Sequence, residues 1–431
     1  MKIVMNPIRP GLCDADQDFH LLVRLQSEPQ AGLERTPLDL VLVIDRSGSM
    51  QGSKLNEAKR CVMDLVARMH PADRVGLVQY DDTANTLLTL TTVANAGSTL
   101  QPLIQGIRVG GSTDLHQGWL RAGEMLAPHA GREAACHVVL LSDGNANQGL
   151  TQPARICEQV AALAGAGVTT TTVGLGTDFN EVLMTAMAKA GRGSAHYGER
   201  AIDLAETFEA EIGLLSQLQW RGVELQLKSG APGMQLLNNY QREGSTWRLP
   251  SVALGSECWA LLRMPLGEAL QAQRVHGSVL HVEVQATNTS GLRCSFSASL
   301  PPLAELSPRD YDLQPVHELV QRRINELAAA DLQLQIHLAV QRGNWAAAEQ
   351  LLTRLEAIGH REPWVAESIE FARQLLRERD EQRMSKEMLY KSSRMHTRLS
   401  STDEPVFSRA LAAEGPAFLR RKMTEGRRTE D

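Results

Sequence analysis

The sequence predicts an α/β protein: a doubly wound, mostly parallel sheet inserted into a β-sandwich-like module and followed by a C-terminal helical segment. Three observations carry this expectation. Between residues 37 and 216, short β-branched runs alternate with helical patterns, as in βαβ units with right-handed crossovers. From residue 217 the apolar period drops to two, with Val223, Leu225 and Leu227 alternating with Glu224, Gln226 and Lys228. From about Gln314 the period lengthens again to that of a helix. The expected divisions are 1–36, an N-terminal strand of the β module; 37–216, the parallel-sheet domain; 217–306, the β-sandwich-like module; 307–398, the helical segment; and 399–431, a mobile tail.

In order along the chain, Phe19–Leu25 is the one strand expected before residue 36, and it lacks a local partner. It is therefore assigned to the β module, so that the parallel sheet is entered and left by adjacent linkers. Leu40–Asp45 is a buried strand, followed by a helix over Leu55–Met69. Arg74–Tyr80 and Thr86–Leu90 are strands, and a helix begins after Thr113 and runs to Leu126. Cys136–Ser142 and Val168–Val173 are buried strands around a helix over Ala154–Ala164. Asp178 is the expected N-cap of a helix reaching Ala190, with Glu181 completing a capping box. Strands over Cys258–Leu266, Ser278–Thr287 and Leu292–Leu300 complete the β module. Helices follow, with a tight turn at Gly343-Asn344-Trp345 and a stalk-like helix from Phe371 to Arg394.

Composition narrows the function. A formal net charge of −6 and a pI near 6.1 argue against a general nucleic-acid binder. No apolar run approaches the roughly 18–20 residues of a membrane span. The start lacks the apolar region of a secretory signal. Six scattered cysteines, never Cys-x-x-Cys, read as reduced thiols, and the expected compartment is the cytoplasm.

The chemistry lies at strand ends. Asp45-Arg46-Ser47-Gly48-Ser49 follows the first buried strand, Gly110-Gly111-Ser112-Thr113-Asp114 precedes a helix, and Ser142-Asp143-Gly144 ends the third. In a doubly wound sheet these ends gather at the switch-point crevice. Asp45, Ser47, Ser49, Thr113 and Asp143 then offer oxygen donors to a hard cation such as Mg²⁺, with Mn²⁺ and Ca²⁺ sharing that preference. Two carboxylates leave the ion electrophilic, and an Asp or Glu of another protein is the natural completing ligand.

These residues resemble the metal-ion-dependent adhesion site of von Willebrand factor type A (VWA) domains. Asp45-Arg46-Ser47-Gly48-Ser49 matches the first motif, Thr113 the second and Asp143-Gly144 the third, so all five ligand positions are present. The phrases Asp73-Arg74-Val75-Gly76-Leu77-Val78 and Gly174-Leu175-Gly176-Thr177-Asp178 look like the bacterial branch, which is similar to inter-alpha-trypsin inhibitor heavy chains. The resemblance implies a Rossmann-like sheet and a protein-binding adaptor. It also implies direct contact of Ser47, Ser49 and the threonine with the metal. Partners of such domains include ATPase, kinase and phosphatase systems.

Other readings are weaker. Gly174-Leu175-Gly176 lacks the third glycine of a dinucleotide fingerprint, since Phe179 stands there. No Gly-x-Ser-x-Gly elbow surrounds Ser47, and no P-loop is present. A metal-dependent hydrolase using the same ion to activate water is the alternative, but it needs a base or second metal that the motifs do not supply. Asn145 and Asn147 read as turn residues, Asp114 as a first-turn acid, Arg46 as a solvated side chain and His137 as structural.

Overall fold

The computed structural model describes residues 1–27, 35–132, 134–143, 146–176, 179–198, 201–359, 363–397 and 400–401. The expected tail thus falls almost wholly outside the described residues.

Six strands form the central sheet, in the order Ala84–Thr92, Arg74–Tyr80, Leu38–Asp45, Ala135–Ser142, Val168–Leu175 and Arg192–Gly198. All neighbours run parallel except the Ala84–Thr92 edge, which pairs antiparallel with Arg74–Tyr80. Leu38–Asp45 is buried along its whole length, and successive residues serve opposite layers. Leu40, Leu42 and Ile44 pack with Leu55, Val62, Ile104 and Phe208 of the helices Ser53–Ala67, Val93–Gly106 and Ala201–Ser216. Val41 and Val43 pack with Trp119, Val160 and Met184 of Leu115–Leu126, Pro153–Gly165 and Glu181–Ala190. Two covered faces explain why this strand is a continuous apolar run instead of an alternating one.

The chain proceeds outward from Leu38–Asp45 on one side and returns to Ala135–Ser142 on the other, with Ile44 opposite Leu141. The order reverses between these two strands, so their carboxyl ends flank the crevice where open α/β sheets bind ligands.

The sheet domain is an insertion. Asp18–Gln26 pairs with Lys2–Pro7 on one side and with Ser256–Pro265 on the other. A second sheet runs Gln241–Glu243, Thr246–Arg248, Leu218–Lys228, His281–Thr287 and Arg293–Ser299. Trp220 and Phe296 meet edge to face in its core, 5.2 Å between centroids. At the junction, Thr36 N donates to Ser216 O at 3.2 Å and Thr36 Oγ1 to Leu218 O at 2.8 Å. The two linkers therefore lie side by side.

Several elements depart from expectation. Val93–Gly106 is a helix despite Gly97 and Pro102, because Ala96, Leu100 and Ile104, four residues apart, bury one face. Lys2–Pro7, Arg192–Gly198 and Leu266–His276 form a strand, a strand and a helix where none was expected. Asp178 lies outside the described residues; Asn180 caps the helix Glu181–Ala190, accepting from Leu183 N at 3.0 Å. The stalk is two helices, Pro363–Glu378 and Glu381–Thr397, separated at Arg379 with φ 51°. The second folds back along Glu318–Gln341 and reaches the parallel sheet, where Tyr390 sits 5.0 Å from Tyr197 and 6.1 Å from Phe179 between ring centroids.

Candidate metal site at the strand ends

Asp45 ends its strand fully buried, with both carboxylate oxygens already engaged. Oδ1 accepts from Ser47 N at 2.8 Å, closing the turn that follows. Oδ2 accepts from Ser142 Oγ at 2.6 Å and Tyr80 Oη at 3.1 Å. Burial pushes the Asp45 carboxyl upward, the hydrogen bonds from Ser142 and Ser47 oppose this, and the charge of Asp143 adds to the rise. Burial also holds the Tyr80 phenol well above its ordinary value, so it stays a donor.

The turn Gly48–Met50 lifts Ser49 into the open while Ser47 stays buried, their hydroxyl oxygens 3.1 Å apart. Backbone bonds bring the second segment beside it: Gly48 N to Gly111 O at 2.8 Å and Gly110 N to Arg46 O at 2.7 Å. Thr113, also buried, is fastened to the third segment. Its N donates to Asn147 Oδ1 at 2.8 Å, and its carbonyl accepts from Asn147 N and Gln148 N, each at 3.1 Å.

Asp143 differs from Asp45. Its side chain is fully buried, and neither carboxylate oxygen has a hydrogen-bond partner among the described residues. Lys54 Nζ stands 3.7 Å from Oδ2, an ion pair too long for a hydrogen bond. The carbonyl of Asp143 accepts from Asn180 N at 3.2 Å, which ties the segment to the cap of the next helix. A buried carboxylate lacking donors is costly unless a cation meets it. This is the observation that fits a bound cation, and the surrounding hydroxyls fit a hard one. Among the described residues no three His, Cys, Asp or Glu side chains gather, so a nitrogen–sulfur zinc cage is not formed there.

Thus Asp45, Ser47 and Ser49 stand on one turn, Thr113 is stitched across from them, and Asp143 follows the neighbouring strand. Four supporting residues were not legible as such. Tyr80 lies opposite Asp45 in the register, Ser142 precedes Asp143, Asn147 clasps Thr113, and Lys54 faces Asp143. Only the sheet register, which spacing does not reveal, brings Tyr80 to Asp45. Arg46 is not a free surface side chain; it pairs with Asp81 at 2.7 Å. Asp114 caps the helix Leu115–Leu126, accepting from Gln117 N at 3.0 Å. Asn145 lies outside the described residues. His137 is buried against Thr169 Oγ1 at 2.6 Å, away from the strand ends.

With these strand ends in place, the sequence match is decisive: residues 39–210 fit the profile of the von Willebrand factor type A domain. The chain carries a VWA domain. An uncharacterized protein of Synechocystis is 28% identical over 195 residues, covering 45% of this chain and 45% of that protein. Human inter-alpha-trypsin inhibitor heavy chain H3 is 28% identical over 225 residues, covering 49% of this chain and 24% of the relative. The chain therefore spans less than half the length of these curated relatives. Among solved structures, a von Willebrand factor type A protein from Catenulispora acidiphila superposes with a TM-score of 0.66 at 16% identity, covering 87% of this chain and 89% of that one. The ArnB paralog VWA2 from Sulfolobus acidocaldarius gives 0.63 at 18% identity, covering 92% and 98%. At such identities the likeness speaks to fold, and it extends beyond the VWA domain to the surrounding β and helical parts.

Proposed function

We propose that the protein is an adaptor whose VWA domain binds a protein partner through a divalent cation, Mg²⁺ in the cell. Asp45, Ser47, Ser49, Thr113 and Asp143 would hold it. The buried, undonated carboxylate of Asp143 carries this reading. When bound, the ion would supply an electrophilic position for an Asp or Glu of the partner. VWA domains generally mediate metal-dependent protein–protein interaction, which supports the same conclusion.

The chain's own groups have defined tasks in this scheme. Tyr80 and Ser142 fix the orientation of Asp45 by donating to one of its oxygens. Asn147 fixes Thr113 against the loop that follows Asp143. Exposed Ser49 stands where a partner arrives. No catalytic role is assigned to these residues: the hydrolase alternative requires a base beside the donors, and His116 is instead held by Gln159 Oε1 at 2.8 Å. We place the protein in a bacterial cytoplasm, in keeping with six free cysteines. Its partner would belong to an ATPase, kinase or phosphatase system.

The test is affinity capture on the immobilised full chain with Mg²⁺ and with chelator, using wild type, Asp143→Ala and Ser47→Ala. The expected result is a partner retained by wild type with Mg²⁺, released by chelator and missed by both variants. Changing the partner's contacting Asp or Glu to the amide should also abolish capture. Equal retention under all conditions would remove the adhesion reading, and Mg²⁺-dependent turnover of phosphoesters would favour the hydrolase.

A further inference from the structure

At the opposite end of the parallel sheet from Asp143, a cleft opens between the VWA domain and the β module. Arg192 marks its place: it pairs with Thr170 near the amino start of Val168–Leu175, whereas Asp143 lies beyond the carboxyl end of the adjacent strand. The cleft has a volume of about 80 Å³. Leu214 and Leu215 of the last VWA helix and Leu249 of the β module form an apolar wall. Facing it are Lys189, Arg192 and Arg248.

Arg192 is unusual in two independent ways. Its φ is 56°, in the left-handed region that favours glycine or asparagine. It stands between two glycines, and neither takes that angle. A Cβ on Gly191 would lie 2.6 Å from Thr170 Cβ, and one on Gly193 would lie 2.6 Å from the Thr170 carbonyl carbon. Both glycines are required by close approach to the neighbouring strand, and the strained position falls to an arginine. Residues held in such conformations cluster at functional sites.

The second peculiarity is electrostatic. The Arg192 guanidinium makes no hydrogen bond or ion pair among the described residues, and its Nε is shut away from water. Burial, then the like charge of Arg248, push its pKa down to about 10, with Glu243 opposing. Arg248 is occupied: it pairs with Glu224 and, at 2.7 Å, with Glu243. Lys189 donates to Asn239 Oδ1 at 2.6 Å, and no carboxylate pairs with it among the described residues. Glu211 also lines the cleft, accepting from Thr171 Oγ1 at 2.9 Å, but neither Lys189 nor Arg192 forms an ion pair with it or with another carboxylate among the described residues.

We propose that this cleft binds a small organic anion, with a carboxylate or phosphate head taken by Arg192 and Lys189 and an apolar body lying against Leu214, Leu215 and Leu249. The guanidinium fork matches either head bidentately, and the ammonium adds a point charge. Such a ligand would touch both the last VWA helix and the β module. This site is separate from the metal site and does not depend on it.

The probes are benzoate and phenyl phosphate, with benzyl alcohol as the uncharged control, measured by calorimetry on the full chain at millimolar concentrations in chelator, so that no metal at the strand ends takes the anion. At least one anion is expected to bind, at least about tenfold more tightly than benzyl alcohol. Comparing the two anions identifies the preferred head. Arg192→Asn tolerates the left-handed angle, so it should melt at or above the wild-type temperature while losing at least about tenfold in affinity. Lys189→Gln should weaken binding in the same direction and serves if the first variant does not fold. If neither anion outcompetes benzyl alcohol, or if both cleft variants bind like wild type, the proposal is wrong.

Discussion

Asp143 and Asp45 are both buried carboxylates, yet their surroundings assign them different work. Asp45 receives three hydrogen bonds and organises the turn that carries Ser47 and Ser49. Asp143 receives none among the described residues and faces Lys54 at 3.7 Å. The difference predicts a reversal of stability. In chelator, Asp143→Asn removes a charge that burial disfavours, and the long contact to Lys54 offsets only part of the relief. The variant should be more stable by about 1–2 kcal/mol. At a Mg²⁺ concentration about 100 times its dissociation constant, wild type should gain about 2.7 kcal/mol and the variant almost nothing. Thermal melts with and without Mg²⁺ read both effects. A variant that is weaker in chelator, or that gains as much from Mg²⁺ as wild type, would contradict this account of Asp143.

The helix Glu381–Thr397 shows how much one element can hide from its sequence. Read alone, the Arg- and Glu-rich stretch from Phe371 onward suggests a stalk. In the fold, Tyr390 is buried between Phe179 and Tyr197, Tyr197 Oη donates to Glu387 Oε2 at 2.6 Å, and Ser385 Oγ donates to Glu181 Oε1 at 3.1 Å. These contacts press the helix onto the loop whose Asn180 holds the carbonyl of Asp143. Tyr390→Ala should cost about 3 kcal/mol, the scale of removing a buried aromatic ring. Hydrogen exchange should then speed up across Glu381–Thr397 while the central strands keep their protection; unchanged exchange would show that the helix is not anchored there. The same case shows what was legible. Leu38–Asp45, Ala135–Ser142 and the donor residues at their ends stood out because two-sided burial writes an uninterrupted apolar run. Arg192–Gly198, with two glycines and no branched aliphatic residue, and Val93–Gly106, with an internal proline, carry no such signal and are formed by tertiary neighbours. Likewise Tyr80 and Ser142 support Asp45 only through register and adjacency in the folded sheet.

At the scale of the whole molecule, the question is whether the VWA domain depends on the module that surrounds it. Its entry and exit are bonded together through Thr36, Ser216 and Leu218, the geometry of a tolerated insertion. One layer of its core is almost self-contained, with Tyr390 the only buried contribution from the helical segment among the described residues. The other layer is continuous with the β module, where Leu214 and Leu215 share a core with Leu218, Trp220 and Leu249. The candidate metal donors stand at the far end of the sheet from that junction. Stability should therefore depend on the module, and metal affinity should not. Residues 37–216 produced alone are expected to fold and to melt below the full chain, because the apolar face of the last helix becomes exposed. Their Mg²⁺ affinity should stay within about threefold of the full chain, a difference below about 1 kcal/mol. Calorimetric titration of both proteins makes the comparison. A fragment that folds but binds Mg²⁺ far more weakly would mean that the β module and the docked helix hold the strand ends in their binding geometry, and that the insertion is coupled to its host through the Ala201–Ser216 helix.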